Sequence, residues 1–163
     1  STYADGSTYA DGSTYADGLA FADFADEFAK ALHAAGKQLS IDYFSNLPFW
    51  NLGALSATTQ VDTLISMDTY VPGNASFEIY ANIALAHVAP GRLGVGMCTG
   101  TRPAPFTPFG PDPCGVAPWT AAEVAERLAF VDAALGEVRM LNFWVLPLPE
   151  VWWAGLRQWQ QQR

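Results

Sequence analysis

Two aspartates are placed where they could do chemistry. Asp42 lies near the end of one apolar run, Leu39-Ser-Ile-Asp-Tyr43, and Asp68 near the end of another, Val61-Asp-Thr-Leu-Ile-Ser-Met-Asp-Thr-Tyr70. If the runs are adjacent strands of a parallel sheet, their carboxyls can lie within about 10 Å across a shared mouth. Two such carboxyls can serve as acid and base in glycosidic cleavage, or can accept sugar hydroxyls. The structural alternative has Asp42 capping the following turn and Asp68 binding loop amides. Tyr70 and Trp144 add rings that can stack on sugar faces or pack the rim. Asn142 interrupts an otherwise apolar run, and Trp50-Asn51 can contribute to the same rim.

Positioning these residues takes strands that alternate with amphipathic helices. A helix over 19–36 carries Phe21, Phe24, Phe28, Leu32 and Ala35 at spacings of three and four, and Gly36 is a natural stop. Strand 39–43 follows. Asn46-Leu47-Pro48 reads as the start of a short helix through about Leu55. Strand 61–70 comes next, then a helix over about 77–88 capped by Ser76, with Ile79, Tyr80, Ile83, His87 and Val88 as its apolar side. Strand 93–98 leads into a loop, 99–118, that holds six prolines. A structureless loop of that length is often a lid or rim. Thr120-Ala-Ala-Glu123 is a capping box, flanked by Trp119 and Val124, for a helix that buries Val124, Leu128, Val131 and Leu135. Strand 138–145 and a last helix from about Glu150, with Trp152, Leu156 and Trp159 on one face, close the order. Alternation of this kind predicts an α/β chain with a parallel sheet, whose chemistry sits at the carboxyl ends of the strands.

Residues 1–18 stand apart as three identical copies of Ser-Thr-Tyr-Ala-Asp-Gly. Identical side chains suit a low-complexity tail better than a packed repeat, because each copy would meet different surroundings. A small β-arch with Asp-Gly at each turn is the other reading. The expected division is therefore a repeat at 1–18 and one domain at 19–163.

With this pattern in place, the chain resembles the second half of a (β/α)8-barrel glycoside hydrolase, of the broad group that includes chitinase-like family 18 enzymes. Phe28-Ala-Lys-Ala-Leu-His-Ala-Ala-Gly-Lys-Gln-Leu-Ser-Ile-Asp42 resembles the passage from the fourth helix into the fifth strand. Val61–Tyr70 resembles the sixth strand, Leu93-Gly-Val-Gly the seventh and Met140-Leu-Asn-Phe-Trp144 the eighth. The segment 146–157 resembles the closing helix. The resemblance implies a partial barrel of strands five to eight, a fragment of the parent fold, with sugar bound near Trp144 and hydrolysis of O-glycosidic bonds as the parent reaction. The family orders Met, Thr, Tyr, Asp on its sixth strand; here the order is Met67, Asp68, Thr69, Tyr70. Asp17-Gly18 resembles the start of the family's fourth-strand motif, without the glutamate that completes it. The function expected is a glycoside hydrolase-like, carbohydrate-active protein; the alternative is a non-catalytic carbohydrate-binding or structural remnant. A half-barrel also exposes two sheet edges, through which copies can associate.

The remaining signals narrow the partners. Formal charge is −8 with a pI near 4.4, and the eight Lys and Arg residues are scattered, which disfavours nucleic acid. No apolar run reaches the roughly 18 residues of a membrane span. His33 and His87 fall on separate helices, and no metal or cofactor motif occurs, so neither is expected. Cys98 and Cys114 bracket the Pro-rich loop and are either a disulfide or two thiols. Asn74-Ala-Ser76 is a glycosylation sequon on an expected loop. Both features suit secretion, with the compartment otherwise open.

Overall fold

A computed structural model describes residues 15–44, 50–58, 60–71, 74–99, 106–107, 110–111, 119–136, 138–144 and 147–162. The expected strand–helix alternation is present. Strands β1 (Ser40–Tyr43), β2 (Thr63–Ser66), β3 (Leu93–Cys98) and β6 (Met140–Trp144) form one sheet in the order β1-β2-β3-β6, every neighbour parallel. Helices α2 (Leu52–Ala57), α3 (Asn74–Leu85) and α4 (Ala121–Phe130) supply the crossovers, with α1 (Tyr15–Ala34) before β1 and α5 (Glu150–Gln161) after β6. This is the α/β architecture of a partial (β/α)8 barrel. Within the loop 99–118, Phe106–Thr107 (β4) pairs antiparallel with Gly110–Pro111 (β5).

All six residues of β3 are buried, as a central parallel strand requires. Paired positions in the ladder share a face. Tyr43, Ser66, Val95 and Leu141 form one row, and Asp42, Ile65, Gly94 and Met140 the row on the opposite face. The first face lies under the helices: Tyr43, Leu64, Val95 and Met97 are fully buried, and Phe143 meets Trp152 of α5 edge-on at 5.8 Å. The second face is the open one. Met140 on it is 39% exposed, and Asp42 reaches solvent.

The helix faces depart from expectation in an instructive way. α1 begins at Tyr15, inside the third hexad, four residues before the expected start. It buries Ala22, Ala25 and Ala29, while Phe24 and Phe28 stack on each other and remain 60% and 44% exposed. Two stripes one residue apart both satisfy the helical period, and the smaller one permits closer packing. α3 repeats the lesson: Phe77, Ala81, Ala84 and Val88 are buried, while Ile79 and Ile83 face outward. α2 starts at Leu52, with Asn51 Oδ1 accepting the Ala54 N–H at 3.0 Å; the expected cap Asn46 lies outside the described residues.

α4 follows the sequence closely. Thr120 and Glu123 form the reciprocal cap, and Val124, Leu128, Val131 and Leu135 are all buried. The helix widens into a π segment over Val131–Leu135 and stops at Gly136, whose φ of +64° suits glycine. Asp132 in that segment accepts the Trp159 indole N–H at 2.8 Å, tying α5 to α4. Gly155 lets the two helices touch, since a Cβ there would stand 2.4 Å from Val124. Gly155→Ala is therefore expected to lower stability by about 1–3 kcal/mol, read by urea denaturation.

At the amino ends of the strands, His33 Nε2 lies 2.8 Å from Asp62 Oδ2, which also accepts the Leu39 N–H at 2.8 Å. The Asp62 contact raises the His33 pKa. Partial burial pushes the Asp62 carboxyl up, but the His33 and Leu39 hydrogen bonds outweigh it and leave it lowered. His33 contributes stability that is complete below about 6.5 and fades as pH rises through its raised value. Asp62 contributes above the ordinary carboxylate range and fades as pH falls through its lowered value. Denaturation midpoints of the protein should fall on going from mildly acidic to alkaline pH, and His33→Ala should remove that part of the fall.

Candidate functional site

The open face gathers its side chains around one close contact. β2 ends at Ser66, and Met67–Thr69 form a 3-10 turn instead of continuing the strand. The Thr69 hydroxyl explains the break. Oγ1 donates to the Ser66 carbonyl at 2.8 Å and accepts the Gly96 N–H at 2.6 Å. A side-chain hydroxyl thus holds the β3 amide that a continuing β2 would have engaged. The turn brings Tyr70 back over the sheet. Its ring lies so close to Gly96 that a Cβ there would be 2.3 Å from the Tyr70 ring carbon Cε2.

Tyr70 is thereby nearly buried, and its phenol pKa is pushed up to about 12, first by burial and then by the negative charge of Asp42. The phenol therefore keeps its proton at neutral pH and can donate it in a hydrogen bond. Asp42 lies on the same face. Partial burial raises the pKa of its carboxyl. Asn142 pairs in register with Gly96, next to the strand position that Tyr70 covers. Trp144 closes β6 at the register position opposite Cys98.

The second carboxylate has another neighbour. Asp68 is buried in the 3-10 turn, and strand alternation does not apply to it because β2 has already ended. Its charge acts on Tyr43, whose phenol is pushed up to about 12 mainly by burial. Tyr43 and Asp42 are consecutive in β1 and so point to opposite faces. Tyr43 Oη and Ser66 Oγ are buried neighbours that do not meet hydrogen-bond geometry. The Asp42 charge thus acts on Tyr70 and the Asp68 charge on Tyr43.

The other expected residues are placed as follows. Trp50 packs against α1, edge-on to Phe21 at 5.4 Å. Cys98 is fully buried and disulfide-bonded; Cys114 lies outside the described residues. Asn74 begins α3 rather than lying on a loop, and its Oδ1 accepts from Arg127 Nε at 2.8 Å. Among the described residues no group of three or more His, Cys, Asp or Glu could hold a metal, and no helix is long and apolar enough to cross a membrane.

Four further residues contribute to this arrangement, and each has a signal in the sequence. Gly94 and Gly96, two apart, mark one strand face that must stay low. Thr69 is a hydroxyl at a strand end. Arg127 falls between Val124 and Val131 on the buried stripe of α4, where a charge is out of place.

No family model matches this sequence, and no curated protein matches it. Two solved structures share its fold. A chitinase from Chromobacterium violaceum ATCC 12472 superposes with a TM-score of 0.64 at 17% identity, over 91% of this chain and 63% of the other. The Bacillus megaterium QM B1551 spore cortex-lytic enzyme SleL superposes with a TM-score of 0.64 at 12% identity, over 90% and 46%. The chain thus spans less than two thirds of the first protein and about half of the second. The class defined is a glycoside hydrolase-like fold, in the form of a partial (β/α)8 barrel.

Gly96→Ala should force the Tyr70 ring off the sheet at a cost of about 1–3 kcal/mol. In a denaturation cycle, most of that cost should vanish when Tyr70→Ala is already present.

Proposed function

We propose that this chain is a carbohydrate-active protein of the glycoside hydrolase-like class, a divergent relative of the chitinase-like family 18 enzymes. Its open sheet face binds a β-linked polysaccharide or an amino-sugar polymer. The observation that carries this reading is Tyr70, laid on Gly96 beside Asp42 at the carboxyl ends of the strands. The arrangement sets a protonated phenol and a carboxylate on one face of the sheet. Asn142 adds an amide on the same side, and Trp144 ends the neighbouring strand. Sugars are recognised by such combinations of apolar faces and directed polar groups. The fold shared with the chitinase and the cortex-lytic enzyme supports the same class.

Hydrolysis is the second step of the reading. Leaving-group protonation needs a carboxyl that holds its proton longer than usual, and Asp42 has the required direction of shift. The alternative is a site that binds sugar without cleaving it.

Binding of oligosaccharides, chito-oligosaccharides among them, followed by calorimetry tests the first step. Asp42→Asn and Tyr70→Phe should each weaken binding about tenfold, since hydrogen bonds to charged or buried groups contribute on the order of 1.5–3 kcal/mol. Affinity should fall with acidification at a pH above the ordinary aspartate value, because the acceptor is lost as Asp42 takes up its proton. Affinities unchanged in both variants would refute the assignment. Chromogenic glycosides decide the second step: turnover lost in Asp68→Asn with binding retained supports a hydrolase, and binding without turnover in either protein supports the binding module.

A further inference from the structure

Arg127 is the one charged side chain among the described residues with no exposed surface. Burying a guanidinium is costly unless its donors and its charge are met. Here its carbon lies 4.5 Å from the centroid of the Phe77 ring and 4.6 Å from that of Trp119, between two π faces. Nε donates to Asn74 Oδ1 at 2.8 Å, and one terminal nitrogen donates to the Val71 carbonyl at 2.7 Å. Burial pulls its pKa down to about 10, which still leaves it charged at neutral pH.

The location matters more than the cost. Val71 follows Tyr70 directly. Its N–H donates to the Thr69 carbonyl at 2.8 Å, and its carbonyl accepts from Arg127. On the other side of Tyr70, the Thr69 hydroxyl holds Ser66 and Gly96. Tyr70 is therefore suspended between two anchors, one on the sheet and one on α4. An apolar residue at position 127 would fill the stripe of α4 more cheaply, but it would leave the Val71 carbonyl and the Asn74 carboxamide without this donor.

We infer that Arg127 is a positioning residue for the sugar-binding face: its forked guanidinium ties α4 to the segment after Tyr70 and so sets where the Tyr70 ring lies over Gly96. This inference rests on the proposed binding role of Tyr70 for its functional meaning, and on geometry alone for the positioning. It also gives Asn74 a structural use, because the carboxamide of the sequon is engaged from within the fold.

The test compares Arg127→Lys with Val131→Ala, a truncation on the same buried stripe of α4. Lysine keeps the charge but cannot form the fork. The Tyr70 phenol is titrated by 13Cζ-tyrosine NMR, with its signal identified by Tyr70→Phe. In Arg127→Lys the ring should loosen, and the phenol, which burial pushes up in the wild type, should titrate at a lower pH than it does there. Val131→Ala should lose stability and leave that titration in place. Equal titration in both variants would overturn the inference. Should Arg127→Lys not fold, Asn74→Ala removes the acceptor of Nε and should produce a smaller shift in the same direction; no shift there overturns the inference equally. Chito-oligosaccharide affinity forms the second arm. A fall of about tenfold in Arg127→Lys, against little change in Val131→Ala, supports the functional meaning. Wild-type protein that binds no sugar would refute the sugar reading, and the titration would still decide the positioning.

Discussion

The approach of the Tyr70 ring to the backbone of β3 is the constraint on which the open face depends. A ring can lie there only because position 96 has no Cβ. The ring can reach there only because β2 stops at Ser66 and turns. The turn is held by the Thr69 hydroxyl on one side and by Arg127 on the other. A glycine, a hydroxyl and a buried cation from three elements thus serve one aromatic side chain. None of the three would be explained by local helix or strand propensity.

Electrostatics follow from the parallel sheet. Arg92 and Arg139 stand just before β3 and β6, and Lys37 just before β1, so these cations lie at the amino ends of the strands. Arg92 is spent on backbone there, donating to the Val61 and Ser56 carbonyls. Asp42 and Asp68 lie at the opposite end. The Tyr70 phenol lies on the Asp42 face of the sheet, and Arg127 is sealed between the Phe77 and Trp119 rings.

Much of the frame was legible. Leu93–Cys98 is strand, Thr120 and Glu123 cap α4, and the apolar stripe of α4 is buried, because each is a short-range pattern with one physical solution. The stripes of α1 and α3 were not legible. Phenylalanine and alanine repeat side by side in α1, and only the neighbouring elements decide which stripe is covered. Strand 61–70 read as continuous because its residues suit a strand; the break at Ser66 comes from a hydroxyl bonded to an amide 27 positions away.

The sequence by itself determined the alternation of strands and helices, and with it the parallel sheet and the end at which polar residues collect. It did so because side-chain period and capping act over a few residues. Only the tertiary structure decided that Tyr70 turns back onto Gly96, that its phenol feels the charge of Asp42, and that Arg127 lies buried behind. Those outcomes join β1, β2, β3 and α4, and no pattern within one element carries the distance between two others.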